Sequence, residues 1–367
     1  MRIVHLSGAY VPSRRASSVA VMKMCEALAK RGHTVTAITK AGEVGEAGNP
    51  FEIYGVERCF ELQMLRRPKI RFGSGVLLAE QMAELVKRRG TVDLLYARDV
   101  VAAAVCARIG IPVLYEAHEP PSTNIGKVGF LVLAQSPQLR RLCAVTGALA
   151  RELTPYARGR SIVVAPSAAD PLPEAPPEPI RRGDRPIAGY VGSLYEGKGV
   201  ELVVEVARLM PEVDFVVIGG RPEEISSWQS RGVPENVRFL GFVNHGALAG
   251  YYRSLDVALL PNRKDFVGTP GGKIDISRWT SPLKMLEYMA SGAPIVASDL
   301  AILQEVLEHE RNALIAPVAS PDAWVRSIRR LLEDKALAIR LSTEAKRDLL
   351  ESHTYAARAR LVMNGLE

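Results

Sequence analysis

The feature that most constrains this sequence is a strand–helix–strand alternation in its first forty residues, which recurs along the chain. Ile3–Leu6 is an apolar run, and from Val19 to Lys30 apolar residues recur with helical spacing. His33–Thr39 then has the composition of a second strand. Strands joined through a helix run parallel, so the sequence predicts an α/β protein with a parallel sheet covered by helices.

The ends of these first elements carry their own signals. Ser18 is placed to cap the first helix, and Gly32 is placed to end it. The alternation resumes with a strand at Leu94–Ala97, a helix at Ala102–Arg108 and a strand at Pro112–Ala117. The N-terminal half is therefore predicted to be one Rossmann-like, doubly wound domain.

A proline-rich stretch divides the chain. Seven prolines lie between Pro166 and Pro186 with almost no apolar periodicity, which is typical of an interdomain connection. Beyond it apolar runs alternate again with helical segments, at Ile187–Val191, Phe215–Ile218, Val237–Leu240, Val257–Leu260, Ile295–Ala297 and Leu314–Ala316. This pattern predicts a second doubly wound domain, whose ligands are expected in loops just after the strands.

Two helices are predicted near the C-terminus. Ser320–Pro321–Asp322 opens one with a cap and a proline at its first position, and Tyr355–Met363 is helical in spacing. We expect a first domain at residues 1–168, a linker at 169–186, a second domain at 187–350 and a C-terminal segment at 351–367.

Composition narrows the class of protein. A chain of 367 residues exceeds the size at which one hydrophobic core stops growing, and 47% hydrophobic with 24% charged residues is typical of a soluble globular protein. The net charge of +7 favours phosphates, nucleotides or an anionic lipid surface as partners. With 6% aromatic residues and no recognition-helix signature, a nucleic-acid reader is not expected. No secretory signal is apparent, so a cytoplasmic location is expected.

Several familiar sites are excluded by their missing motifs. The four cysteines, Cys25, Cys59, Cys106 and Cys143, form no CxxC pair and are interpreted as buried free thiols. The sequence lacks GxGxxG after the first strand, GxxxxGK[ST], HExxH, GxSxG and DxD. We therefore predict no metal site and no prosthetic group.

The segment Trp279–Ser298 is the first candidate for chemistry. Ser281 and Pro282 are interpreted as the N-cap and first position of a helix, whose free N–H groups and dipole, with Lys284 behind them, favour an anion. Glu287 lies about 1.5 turns further on, within reach of a neutral polyol beside that anion. The alternative is an ordinary capped helix with an exposed Lys284–Glu287 pair.

The second candidate is the segment Tyr190–Gly199, YVGSLYEGKG, which follows a predicted strand. Its small residues let the backbone approach a ligand, and Lys198 is placed to neutralise a leaving diphosphate. A solvated loop lysine is the alternative interpretation.

These segments, in this order with NVRFLGFVNHGALAGYYRSLDVALLPN between them, resemble the donor domain of retaining family 4 glycosyltransferases. ASSVAVMKMCEALAKRGHTV, LLYARD and VLYEAHEP resemble the acceptor domain of the same family. The resemblance, closest to the TSPLK-bearing branch, implies a GT-B fold: two Rossmann-like domains facing across a cleft, with the C-terminal helix returning to the first. It also implies metal-independent transfer of a sugar from a UDP-, GDP- or ADP-linked donor, with retention of configuration.

The resemblance assigns roles to individual residues. It implies that Glu287 holds the ribose hydroxyls, that Lys198 contacts the donor diphosphate and that His118 faces the transferred sugar. A packed core imidazole is the alternative for His118. The other donor-side candidates are Gly192, Ser193, Gly219, Arg221, Gly241, Phe242, Val243, Thr280, Ser281, Pro282, Leu283 and Lys284. The acceptor-side candidates are Arg14, Ser17, Ser18, Arg98 and His118.

Three positions depart from the family pattern. Trp279 replaces a glutamate that contacts the donor sugar. Ser193 replaces an arginine beside the diphosphate, which leaves Lys198, the amides at the helix start and Lys284 or Arg263 to supply positive charge. The segment 14–18, RRASS, replaces a glycine pair on the acceptor side. Its arginines meet an anionic acceptor or are merely solvated.

The expected role is therefore in glycan, cell envelope polysaccharide or glycolipid synthesis, with a glycan, lipid-linked or small-molecule acceptor. Two other functions remain open: a sugar-nucleotide 2-epimerase, and a sugar-nucleotide-binding protein impaired by Trp279. Basic clusters at 66–71 and at Arg140–Arg141 are candidates for peripheral contact with the inner face of the membrane, with solvated loop charge as the alternative.

Overall fold

The computed structural model describes residues 1–42, 48–66, 74–263 and 278–367 of the chain. They form two compact units, one of residues 1–167 with 355–367 and one of residues 168–354. Cys25, Cys106 and Cys143 are buried free thiols, whereas Cys59 is exposed, which corrects the prediction for that residue.

The first unit is an α/β layer structure around one parallel sheet. Its strands are β1 Arg2–Val11, β2 Thr34–Ala41, β3 Glu61–Leu65, β4 Leu94–Ala97, β5 Val113–Ala117, β6 Leu139–Ala144 and β7 Ile162–Val164. Its helices are α1 Ala16–Lys30, α2 Pro50–Tyr54, α3 Ser74–Arg88, α4 Val100–Arg108, α5 Asn124–Gln135 and α6 Gly147–Leu153, joined by the last helix of the chain, Tyr355–Met363. The seven strands are ordered β3-β2-β1-β4-β5-β6-β7.

The second unit repeats this plan. Its strands are β8 Ile187–Val191, β9 Asp214–Ile218, β10 Val237–Gly241, β11 Val257–Leu260, β12 Ile295–Ser298 and β13 Leu314–Ala316. Its helices are α7 Val200–Leu209, α8 Pro222–Gln229, α9 Leu248–Arg253, α10 Leu283–Ser291, α11 Pro321–Glu333 and α12 Lys335–Asp348, and Tyr355–Met363 is accordingly α13. The six strands are ordered β10-β9-β8-β11-β12-β13 and pair in parallel.

The core of the second unit lies on both faces of its sheet. Strand β8 is buried along its whole length, as are β9, β11 and β12. Helix α10 adds Met285, Leu286, Tyr288 and Met289, each at most 1% exposed. Burial of each such large side chain contributes about 1.5–3 kcal/mol, so α10 is fixed against the sheet by its apolar face.

Two predicted helix starts are wrong. Helix α1 begins at Ala16 after Arg15, and Ser18 lies inside its first turn, where its hydroxyl donates to the Tyr10 carbonyl (2.5 Å) instead of capping. Helix α10 begins at Leu283, and the extended Pro282 (ψ 120°) is its N-cap in place of Ser281. In contrast, the predicted Ser320 cap of α11 and the predicted bounds of α13 are confirmed.

Candidate functional site

The sheet of the second unit changes the direction of its strand order between β8 and β11, and the loops after these two strands are tied together. The Arg263 N–H donates to the Gly197 carbonyl over 2.9 Å. Gly199 has a φ of +83°, and a Cβ there would lie 1.7 Å from the Pro261 carbonyl oxygen, so only glycine fits. Lys198 is thereby held at the switch point, where open α/β sheets bind ligands.

The loops after β9 and β10 close on the same edge of the sheet. The Gly219 N–H donates to the Gly241 carbonyl (2.7 Å), and a Cβ on Gly219 would lie 2.0 Å from the Gly192 carbonyl oxygen. Phe242 beyond them is 38% exposed, whereas Val243 packs against the core. Backbone from three predicted donor-side positions therefore meets here, with an exposed aromatic ring beside it.

Lys284 lies in the first turn of α10 with its ammonium buried. Its Nζ is 4.1 Å from the centre of the Tyr190 ring, and its stem runs past Gly192. Among the residues that the structure describes, this Nζ has no hydrogen-bond partner. A buried ammonium in this state is costly unless an anion joins it, so the site favours an anionic ligand.

Burial lowers the pKa of both lysines, and the charge of Lys198 lowers that of Lys284 further. Burial lowers the pKa of Lys198 to about 8. The pKa of Lys284 is held well below its ordinary value by burial first and by the positive charge of Lys198 second. A diphosphate would restore both charges, because an opposite charge nearby favours the charged form of each lysine.

Glu287 follows Lys284 by one turn and is buried, with both carboxylate oxygens engaged. His245 Nε2 lies 2.7 Å from Oε1, and the Tyr252 hydroxyl donates to Oε2 over 2.7 Å. Although burial raises the pKa of Glu287, its hydrogen bonds and the charge of His245 prevail and lower it. The exposed Lys284–Glu287 surface pair, the alternative interpretation from the sequence, is wrong because both groups are buried.

The remaining donor-side candidates surround this cluster. The Ser193 carbonyl accepts from the Tyr190 hydroxyl (2.7 Å), and the Arg221 N–H, before α8, donates to Glu224 (2.7 Å). Thr280 and Ser281 precede α10, and the Trp279 ring lies under the Arg278 guanidinium, 5.5 Å from its centre. Residues 264–277 lie outside the described part of the chain.

The first unit holds a second cluster of charge, at the ends of its adjacent strands β4 and β5. Glu116 is buried, 2.8 Å from Arg358 Nη2 on α13, and it also accepts from the Tyr96 hydroxyl. Arg98 Nε lies 3.7 Å from Glu116, and His118 Nε2 lies 2.5 Å from it. Although burial raises the pKa of Glu116, Arg358 and His118 hold it well below its usual range.

The partners of His118 define the state of its ring. Arg98 Nη2 lies 3.1 Å from Nδ1, and a guanidinium only donates, so Nδ1 accepts and Nε2 donates its proton to Glu116. Burial, followed by the charge of Arg98, lowers the pKa of His118 to about 4. The imidazole is neutral with both nitrogens engaged, which favours a positioning role over proton transfer.

The other acceptor-side candidates lie around the start of α1. The Ser17 carbonyl is 3.4 Å from Arg98 Nη1, and Arg14 is exposed. The guanidinium of Arg15 lies over the face of the Tyr10 ring, 5.1 Å from the ring centre. Of the basic clusters, residues 67–71 lie outside the described ranges, and Arg141 donates to the Leu361 carbonyl (3.3 Å).

Four participants were missed by the sequence reasoning: His245, Tyr252, Glu116 and Arg358. Glu116 carried a usable signal, since a single carboxylate inside the apolar strand VLYEA is a buried charge that needs a partner. The other three have no local signal. Within the described residues, no group of three or more His, Cys, Asp or Glu side chains is placed to hold a metal ion.

Models of known protein families match segments of both units. Residues 17–190 match a model described as Glycosyltransferase Family 4, and residues 185–334 match one described as Glycosyl transferases group 1. An uncharacterised glycosyltransferase of Methanocaldococcus jannaschii is 30% identical over 48% of this chain, and the match spans 43% of that relative. The 2-deoxystreptamine glucosyltransferase of Streptomyces kanamyceticus is 24% identical over 87% of this chain and 90% of its own length.

Solved structures show the same architecture. The Anabaena HepE protein, in complex with UDP and glucose, superposes with a TM-score of 0.73 at 16% identity, over 100% of this chain and 99% of that one. At this identity the likeness shows the fold alone. The prediction of two Rossmann-like units of the GT-B type is confirmed.

Proposed function

We propose that this chain, which belongs to the GT-B glycosyltransferases, transfers a sugar from a nucleotide diphosphate sugar to an acceptor hydroxyl. The second unit binds the donor in this proposal, and the first unit binds the acceptor. Retention of anomeric configuration is part of the proposal and rests on the family resemblance. UDP-glucose is the first donor to test, because UDP and glucose are bound in the HepE structure.

The observation that carries the proposal is the half-buried Lys198 and the buried Nζ of Lys284 beside the ionised Glu287. Two ammonium groups that share one low-dielectric site favour a ligand with more than one negative charge. A buried carboxylate one turn away favours neutral hydroxyl donors next to that anion. A ribonucleoside diphosphate carries both groups at this spacing, and inorganic phosphate carries only the first.

The chemistry follows from where charge develops. The bond between the anomeric carbon and the diphosphate oxygen breaks, the acceptor oxygen bonds to that carbon on the same face, and the acceptor proton passes to the departing phosphate. Negative charge grows on the diphosphate during this step. In this proposal Lys198, Lys284 and the first N–H groups of α10 stabilise that charge, a contribution that is largest in a partly dry site. Charge neutralisation is assigned to these groups, with no metal step.

For the acceptor and the biosynthetic pathway, we propose only broad classes. A glycan, lipid-linked or small-molecule acceptor in polysaccharide or glycolipid synthesis fits a sugar transferase. Peripheral contact with the inner membrane face stays a prediction, and Arg141 now has a partner on the last helix. None of the helices in the described ranges has the length and apolar composition needed to cross a bilayer.

The test is nucleoside diphosphate release from UDP-, GDP- and ADP-sugars, with and without candidate acceptors. We expect release and a glycosylated product with one donor, and Lys284→Met lowers the rate at least about tenfold, the effect of losing one charged contact. Lys346→Met removes an exposed lysine of α12 and serves as the matched control, with an unchanged rate.

Other outcomes identify the other functions. A changed sugar without acceptor indicates the 2-epimerase. A rise in melting temperature with no release under any acceptor indicates the impaired binding protein. A Lys284→Met variant with the wild-type rate would remove the site assignment, since the proposal depends on that ammonium.

A further inference from the structure

The carboxylate of Glu287 is held from both sides by one short segment of the chain. His245 opens a turn at residues 245–247, and Tyr252 lies on α9 directly after it. Their donors reach different oxygens of the same carboxylate, at 2.7 Å each. Because the lowered pKa of Glu287 keeps it ionised, it only accepts, and Nε2 of His245 carries the donated proton.

The two donors differ in how firmly they are fixed. Tyr252 is 1% exposed and meets Tyr288 edge to face, with ring centres 5.8 Å apart. Tyr288 is itself tied to β8 through its hydroxyl, which accepts from the Val191 N–H (2.8 Å). The side chain of His245 is 26% exposed. Tyr252 therefore belongs to the core, whereas His245 forms the open side of the pair.

The lone pairs of the carboxylate leave room for a ligand. A carboxylate offers about four acceptor positions, two on each oxygen. His245 and Tyr252 use one on each oxygen, which leaves one on each. Two adjacent hydroxyls of a sugar ring match this arrangement, each donating to one oxygen.

We infer that His245 is a positioning residue that turns Glu287 toward a vicinal diol and thereby sets the preference of this site for ribonucleotides over 2′-deoxyribonucleotides. The inference rests on the proposed function, because it concerns the ribose of the nucleotide donor. Val243, two residues earlier, packs against the core and anchors the segment that carries the imidazole. His245 acts through Glu287 and need not touch the ligand.

The test is a comparison of dissociation constants measured by calorimetry. UDP, GDP and ADP are titrated first, followed by the 2′-deoxy form of whichever binds. We expect His245→Ala to weaken binding of the ribonucleotide about tenfold, the effect of one charge-assisted hydrogen bond, and to leave binding of the deoxy form within about twofold. His245→Gln, which keeps an N–H donor, restores part of the discrimination.

Two further variants separate positioning from a structural effect. In a Glu287→Gln background, His245→Ala has no additional effect, because the group that it orients is already gone. Asn244→Ala is the matched control, since this exposed neighbour makes no side-chain capping bond.

The outcomes distinguish failure of this inference from failure of the proposed function on which it rests. An equal loss for ribo and deoxy forms would make His245 a purely structural residue, and tighter ribonucleotide binding by His245→Ala would make it a competitor for Glu287. Either result overturns the inference and leaves the proposed function standing. A wild-type protein that binds none of the three nucleoside diphosphates removes the proposed function, and the inference falls with it.

Discussion

Raising the pH should loosen the nucleotide from this protein through Lys198. Its pKa of about 8 means that it is mostly charged at pH 7 and mostly neutral at pH 9. The charged fraction falls from about nine-tenths to about one-tenth, so the dissociation constant of a nucleoside diphosphate rises about tenfold. The terminal phosphate titrates at about pH 6, so it is about nine-tenths ionised at pH 7 and gains only about a tenth of a charge by pH 9. Calorimetry at constant ionic strength measures the slope.

The protein without ligand should respond to pH with the opposite sign. The pKa of Lys198 is lower in the folded state than its ordinary 10.5, so between pH 8 and 10.5 the unfolded state binds more protons and stability rises with pH. Below about pH 8 the whole penalty is present. Lys198→Met removes it, and at pH 7 the variant gains up to about 3 kcal/mol in free energy of unfolding over wild type. That gap closes as the pH rises.

The fall in nucleotide affinity with pH and the rise in stability of the free protein with pH must appear together. Lys346→Met, the exposed control, keeps the wild-type slope of affinity and the wild-type stability profile. If the dissociation constant of wild type stays within twofold between pH 7 and 9, or if Lys198→Met keeps the wild-type slope, Lys198 is not a charged partner of the nucleotide and the assignment of this loop is wrong.

Two predictions concern stability. Arg358→Met removes the closest guanidinium of the buried Glu116 carboxylate and lowers the free energy of unfolding of the first unit by about 3–5 kcal/mol, measured with urea. The exposed Arg360→Met changes it by less than about 0.5 kcal/mol. Gly199→Ala forces a Cβ onto a backbone carbonyl at positive φ and costs more than about 2 kcal/mol, whereas Gly232→Ala, at φ +72° with open space around it, costs less.

Either prediction has a clear contrary result. Equal urea midpoints for the two arginine variants would mean that the carboxylate finds another partner or takes up a proton. Equal costs for the two glycine variants would mean that the loop after β8 shifts away from the end of β11 without penalty.

The sequence predicted the strands of the second unit well and the helix starts poorly. Ile187–Val191, Val257–Leu260 and Leu314–Ala316 have the predicted bounds because strands of a covered parallel sheet are short apolar runs that end at polar or turn residues. Ser281 was wrong as a cap because the extended Pro282 takes the N-cap position of α10, and Ser18 was wrong because its hydroxyl bonds elsewhere. Ser18 donates to a strand carbonyl, a tertiary contact that no local pattern contains.

The candidate site divides in the same way. Lys198, Lys284 and Glu287 could be proposed from the sequence because they lie in short segments with local spacing. The partners that set their state are distant in sequence: His245 is 42 residues from Glu287. The same holds for Arg358 and Glu116, which meet only because α13 joins the first unit. Residue type and spacing predict which groups do chemistry, but the fold decides what holds each group in place.

The return of α13 to the first unit has a consequence for synthesis on the ribosome. The whole of the second unit lies between Glu116 and Arg358 in sequence, so the first unit lacks this guanidinium until the second unit has been synthesised. A nascent chain carries that carboxylate with only Tyr96, Arg98 and His118 as partners through the synthesis of the entire second unit. Removing α13 would therefore damage the first unit, to which the helix belongs, rather than the second unit, to which it is joined in sequence.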